Sequence, residues 1–279
     1  AQAETTQTGG PIIRDARAAD QAAVEQRIAE VGGSGDPGDP YALGTRVQEA
    51  GRRYIATTKQ QANRLYDRAR QAAGNATVTP RNADAVLDAN IQELRNAGEN
   101  SNAAAIKYLE GLRNDIDRGL TLDAVQNLRT NMRGQISERG LTSTDTDRRV
   151  SQVIDAMNQD LAEQLPQEAS QALRAADGFY KQRQEFINGT LKQFLGDKNN
   201  VLPAETAAQR LVSMAQGKGN YERFSSMWKQ LEPSEQADVS ATIAASLGRK
   251  ANGDFSLSTL IRSLDHTKGI NPRTARLVF

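Results

Sequence analysis

His266 is the only histidine among 279 residues, and the only side chain whose ordinary pKa lies near neutrality. It sits in Leu264-Asp265-His266-Thr267-Lys268-Gly269, a stretch with the signature of a helix C-terminus. A protonated imidazole there complements the helix dipole, so a structural role outweighs a general base. One histidine cannot build a multi-histidine metal cluster. The absence of cysteine excludes disulfides, thiolate nucleophiles and zinc–thiolate sites. Asp145-Thr146-Asp147 offers carboxylates to a hard cation, but no EF-hand spacing follows. The run Thr142-Ser143-Thr144-Asp145 reads instead as helix N-capping. Asp115 and Asp117 are two apart on a helical segment and do not face each other. No GxxxxGK[ST] loop occurs, and Gly217-Lys218-Gly219 is a lone turn. A cell-wall hydrolase would need a glutamate of raised pKa in a cleft, and no glutamate has recognisable surroundings of that kind. No catalytic residue, cofactor or metal is therefore expected.

Charge is more informative in blocks. Residues 41–70 carry seven basic side chains (Arg46, Arg52, Arg53, Lys59, Arg64, Arg68 and Arg70) against two acidic ones, Glu49 and Asp67. Residues 1–40 have three basic and seven acidic, and residues 201–279 have ten basic and seven acidic. Such a basic stripe could touch phosphates or an acidic partner. The competing expectation is internal pairing with residues 71–125, which hold eight acidic and five basic side chains. The whole chain has a formal net charge of only +1, which argues against a dedicated duplex-DNA reader.

The elements that must carry these residues are helices. Leu43, Val47, Ala50, Tyr54, Thr58, Ala62, Leu65, Ala69 and Ala72 recur at spacings of three and four, predicting a helix over Tyr41–Ala73. Thr79-Pro80 reads as an N-cap followed by an N1 proline. Further stripes follow: Ile106, Leu109, Leu112 and Ile116; Leu122, Val125, Leu128, Met132 and Ile136; Val150, Ile154, Met157, Leu161 and Leu165. A second long pattern runs from Pro166 to Leu195 with a near-heptad beat, broken in polarity only by Arg183. Shorter helices are expected after Gly196. There Phe224, Met227, Trp228 and Leu231 form the most apolar cluster, which predicts a buried Trp228.

No segment shows period-two alternation bounded by turns, so the fold class is all-α and no sheet is assigned. The expected organisation has three parts. Residues 1–40 form an arm ending in the linker Gly32–Pro40, composed wholly of Gly, Pro, Asp and Ser. Residues 41–196 form an elongated antiparallel helical bundle, and 197–279 a compact helical subdomain, with the boundary near Gly196 to Val201. The two long helical stretches would measure roughly 50 and 45 Å, too long for a compact chain with a radius of gyration of about 19 Å. Mean hydropathy is −0.64 and no apolar run approaches a membrane span. The polar first ten residues lack a signal-peptide apolar region, and the chain ends on Leu277-Val278-Phe279. These ends suggest a fragment of a longer polypeptide.

The C-terminal third carries a resemblance. Phe255-Ser256-Leu257-Ser258-Thr259-Leu260-Ile261-Arg262-Ser263-Leu264, followed by Asn271-Pro272-Arg273-Thr274-Ala275-Arg276-Leu277-Val278-Phe279, resembles a pattern in large tailed-phage and prophage virion proteins. In these a phenylalanine-led helix precedes a short proline-started helix. Arg223-Phe224-Ser225-Ser226-Met227-Trp228, Leu128-Arg129-Thr130-Asn131-Met132-Arg133 and Arg148-Arg149 fit the same texture, so the resemblance spans roughly residues 102–279. It implies a non-enzymatic helical module of a virion protein, of the kind ejected with the genome to help DNA cross the host envelope. The implied partners are other virion proteins or further copies of the chain, with weak DNA contact. The implied location is the virion and, on infection, the host envelope. The alternative is a bacterial interaction or scaffold module, such as a secreted effector or coiled-coil adaptor.

Overall fold

A computed structural model describes residues 9–31, 39–116, 119–138, 144–197, 200–216, 221–250, 254–264 and 269–279. The expected linker at 32–38, His266, Gly217-Lys218-Gly219 and Thr142-Ser143 lie outside the described residues. The chain is all-α, as its periodicity predicts. Its helices are α1 (Gly9–Val31), α2 (Pro40–Ala73), α3 (Arg81–Asn96), α4 (Glu99–Ile116), α5 (Leu122–Glu138), α6 (Thr144–Gln164), α7 (Gln167–Phe186), α8 (Lys192–Leu195), α9 (Ala204–Gln216), α10 (Tyr221–Trp228), α11 (Pro233–Gly248), α12 (Leu257–Leu264) and α13 (Pro272–Val278).

Two minimal antiparallel ladders depart from the expectation of no sheet. They are β1 (Thr77–Val78) with β2 (Leu120–Thr121), and β3 (Gly196–Asp197) with β4 (Asn200–Val201). At two residues each, they are too short to leave an alternating pattern in the sequence. The second long helical pattern is also interrupted, by a π turn at Ile187–Leu191 between α7 and α8. The extra residue per turn lets Leu191 and Phe194 stay buried along the same stripe.

The chain divides into two compact units, one of residues 1–59 with 181–279 and one of residues 60–180. The division falls inside α2 and α7, whereas turn punctuation placed the boundary near Gly196. Both cuts fall in polar runs, 57–61 and 181–185, that leave the helices unbroken, and each helix changes its packing neighbours along its length.

In the unit of residues 60–180, Leu87, Ile91 and Leu94 of α3 pack with Ile106, Leu109, Leu112 and Ile116 of α4. Val150, Val153, Ile154, Met157 and Leu161 of α6 complete that core. The start of α3 is built differently from the expected Thr79 cap. Pro80 occupies the cap position and its side chain offers no acceptor. Asp160 of α6 takes over: it accepts from the backbone N–H of Asn82 (3.0 Å) and Ala83 (3.0 Å) and from Asn82 Nδ2 (2.9 Å). Gln164, one turn on, brackets Thr79 by accepting from its N–H (2.8 Å) and donating to its carbonyl (2.6 Å). Thr121 caps the start of α5, its hydroxyl accepting from Ala124 N–H at 3.3 Å.

In the other unit, the core gathers Leu43, Val47 and Ala50 of α2 with Leu191, Phe194, Leu211, Met214, Phe224, Met227, Trp228, Val239 and Ile243. Trp228 is buried, as its spacing predicts, and stacks on Phe224 with ring centroids 5.8 Å apart. This core draws on residues 43–50 and 191–194, so the apolar C-terminal cluster is not completed by residues 197–279 alone. Gly44 lets α2 approach α9 closely, since a Cβ at this position would overlap the Ala204 carbonyl.

Candidate functional site

The seven basic residues of α2 separate into two groups. Three are tied internally. Arg46 pairs with Asp238 of α11. Arg53 donates to both carboxylate oxygens of Glu235 (2.8 and 2.7 Å), which raises the guanidinium pKa further. Glu235 is buried at the first turn of α11 and also accepts from the Glu232 N–H at 2.8 Å, so Arg53 fastens α2 to the start of that helix. Arg70 reaches Asp67 (3.1 Å) and Asp123 (3.2 Å).

The expected internal partners in residues 71–125 therefore serve Arg70 alone among the described residues. The carboxylates that meet Arg46 and Arg53 come from α11 instead, because the first half of α2 packs in the unit that contains α11.

Arg52, Lys59, Arg64 and Arg68 are exposed and make no ion pair among the described residues. They do not form one stripe. Arg52 and Lys59 are seven apart and share a helix face in one unit, while Arg64 and Arg68 are four apart and share another face in the second. Arg68 lines a surface hollow of about 210 Å³ with Leu65, Glu168, Gln171, Ala172 and Ala175, so an acidic side chain already borders it. What the site can offer is two separate pairs of cations, each suited to one or two phosphates or carboxylates.

The strongest electrostatic constructions are ones that basic-residue counting overlooks. Arg149 of α6 is buried and donates to Asp145 (2.7 Å), Asn90 (2.8 Å) and Glu93 (2.8 Å), tying α6 to α3. Hydrogen bonds from Arg149 hold the Glu93 carboxyl below its ordinary range, and those from Arg148 and Arg149 do the same for Asp145. Asp177 of α7 accepts from Tyr66 (2.8 Å) and from buried Arg129 (3.0 Å). Burial and then the Asp177 bond push the Tyr66 hydroxyl far above its usual value. Arg183, the polar break in the second long pattern, is buried and donates to the Thr58 hydroxyl (2.9 Å) and the Ile55 carbonyl (3.2 Å).

Asp160 and Arg149 could have been found the way Arg183 was, as charged positions on otherwise apolar helical stripes. Their partners, 77 and 59 residues away, carry no sequence signal.

Among the described residues no three His, Cys, Asp or Glu side chains group to hold a metal, and no helix is long and apolar enough to cross a membrane. No protein-family model matches the chain, and neither curated proteins nor solved structures match it.

Proposed function

We propose that this chain is a non-enzymatic helical structural module of a phage virion protein, carried inside the particle and delivered with the genome to help DNA cross the host envelope. The observation that carries the reading is the packing of the residues behind the C-terminal resemblance. Phe255, Leu257, Leu260, Leu264, Ala275, Leu277 and Val278, from two short helices and the bridge before them, all join one core with Phe224, Met227 and Trp228. The pattern behaves as a packing unit rather than a scatter of similar residues. The use of buried charge supports the structural role: Asp160, Arg149, Arg129, Arg183 and Glu235 each close a helix end or tie two helices together. The two exposed cation pairs of α2 suit weak contact with DNA phosphates.

The test is mass spectrometry of purified particles combined with protease protection. The reading expects the chain in stoichiometric amounts, protected in intact particles and lost when ejection is triggered. Recovery from a particle-free secreted fraction would overturn it in favour of a bacterial interaction module.

A further inference from the structure

A hollow of about 330 Å³ lies between α2, α9 and α11, within the unit of residues 1–59 and 181–279. Its floor is the edge of the core, where Leu43 and Ala208 are buried and Val212 is half-buried. The rest of the lining is Ser, Thr, Gln, Pro and a single arginine, Arg249, exposed at the end of α11. No carboxylate lines the hollow, and Arg249 makes no ion pair among the described residues. Asp238, one turn before Thr242 on α11, is already taken by Arg46. Other hollows of the molecule set an acid against their cation: Lys107 has Asp115, Arg68 has Glu168, and Arg148 has Glu93 and Asp155. The hollow at Arg249 keeps its positive charge uncompensated beside an apolar floor.

That combination selects a ligand with an anionic head and an apolar body. A planar guanidinium with no internal acceptor matches a carboxylate by paired hydrogen bonds, and the Ser213 and Ser246 hydroxyls in the same lining can donate further. The floor is aliphatic and no aromatic ring lines the hollow, so the body that fits is an alkyl chain rather than a stacked ring. At about 30 Å³ for each water-sized group, the volume takes roughly eleven non-hydrogen atoms, close to those of an eight-carbon carboxylate. We propose that the hollow at Arg249 is a binding site for medium-chain alkyl carboxylates, with the chain on Leu43, Ala208 and Val212 and the head on Arg249. This goes beyond the virion reading. It is measured on the isolated chain and stands whether or not the chain is found in particles.

The experiment is titration of the isotope-labelled chain with octanoate, followed by the amide shifts of residues 208–216 and 242–249. Saturable shifts confined to those segments are expected, with a Kd on the order of 0.1–1 mM for a ligand of this size. Hexanoate, two methylenes shorter, should bind about tenfold more weakly. Octan-1-ol should also bind about tenfold more weakly, for want of a charge, and octylammonium should not bind. Arg249→Gln should weaken octanoate about tenfold and leave octan-1-ol unchanged. Ser213→Glu, an exposed change on α9 that sets a carboxylate in the lining, should do the same. Unshifted amides at 10 mM octanoate overturn the proposal, as does equal affinity for octanoate and octan-1-ol. So does octanoate binding that survives both substitutions. Tighter binding of the dipeptide acetyl-Ala-Leu than of octanoate overturns it in favour of a protein C-terminus.

Discussion

The two units solve the same packing problem with different chemistry. Residues 60–180 build a core of Leu, Ile, Val and Met, and then lock helix to helix with buried polar clamps: Asp160 on the start of α3, Arg149 on α3 and its own helix, Asp177 between Tyr66 and Arg129. Residues 1–59 with 181–279 rely more on shape. Their core holds Phe194, Phe224, Met227 and Trp228, and segments approach at glycines where a side chain would collide: Gly44 of α2 against Ala204 of α9, and Gly248 at the end of α11 against the Phe255 ring of the bridge before α12. An alanine-rich sequence has few large residues to distribute. Where aromatic rings fill the core, steric fit organises the helices; where aliphatic chains fill it, directional hydrogen bonds set register and helix ends.

The contrast can be broken first at its largest element. Trp228→Ala removes the largest apolar side chain of the shape-dependent core and should cost about 3–5 kcal/mol in denaturant unfolding. Emission of Trp228 in the intact protein should be blue-shifted, as befits a buried indole. A cost below about 1 kcal/mol would mean that this core does not depend on its aromatic filling.

Asp160→Ala is the counterpart in residues 60–180. It strands the N–H groups of Asn82 and Ala83 without their acceptor. Pro80, at the cap position, offers no side-chain replacement, so a loss of about 2–4 kcal/mol is expected. Asp160→Asn keeps one acceptor oxygen and should recover part of it. If the two substitutions cost the same, the carboxylate is not acting as the cap.

These two positions also mark what the sequence made legible. Trp228 was readable because Phe224 lies one turn before it on the same helix and Leu231 follows within three residues, so its partners are local in sequence. So were the stripes of α4 and α6, all of whose large members from Ile106 to Ile116 and from Val150 to Leu161 are buried. Asp160 was legible only as a charged position on an apolar stripe; its partners were not, because they are backbone N–H groups of a distant turn, which any residue has. The division inside α2 was illegible for a related reason. Val47 and Ala69 belong to one unbroken helical stripe, yet they join different cores, and periodicity records that a face is buried without recording against what. The basic residues of α2 show the same limit: their excess was countable, but the pairing of Arg46 and Arg53 with α11 was not.

Glycine substitution sharpens the comparison by giving opposite signs. Gly44→Ala would drive a methyl group into the Ala204 backbone, which cannot rotate aside, and should cost about 1–3 kcal/mol. Gly111 in α4 has nothing within 4 Å of where a Cβ would stand, so Gly111→Ala should stabilise by about 0.5–1 kcal/mol through helix propensity. Equal effects at the two sites would remove the close-approach account of the first.

The polar clamps should also leave a pH signature. The Glu93 and Asp145 carboxyls are held below their ordinary values of 4.5 and 3.8 by Arg149 and Arg148. A carboxyl whose folded pKa is depressed contributes stability that is complete above its unfolded pKa and disappears as pH falls through the folded one. Lowering the pH from 5 towards 3 should therefore destabilise the parent more than an Arg149→Met variant, in which Glu93 loses its main partner and Asp145 keeps only Arg148. Both carboxyls are well exposed, so the difference is expected to be small, seen as a modest narrowing of the gap in thermal midpoint between the two proteins. Parallel pH curves would show that the network carries no linked charge.

The smallest expected effect lies on the surface, where the two units can be compared as ligands for phosphate. Arg52 and Lys59 belong to one, Arg64 and Arg68 to the other, and none of the four is spent on an internal ion pair among the described residues. Weak binding of single- or double-stranded DNA at low salt is expected. Four cations neutralise at most about four phosphates, so the logarithm of affinity should fall against the logarithm of salt with a slope no steeper than about −3.6 on duplex DNA. Replacing Arg52 and Lys59 by glutamine, or Arg64 and Arg68 by glutamine, should each lower the slope by up to about half, and the quadruple variant should abolish binding with helicity unchanged. Arg68 has Glu168 beside its hollow, so the Arg64–Arg68 pair should contribute the smaller share. A quadruple variant that binds DNA as well as the parent would remove phosphate contact from α2 altogether, and the free cations would then be a solvated face.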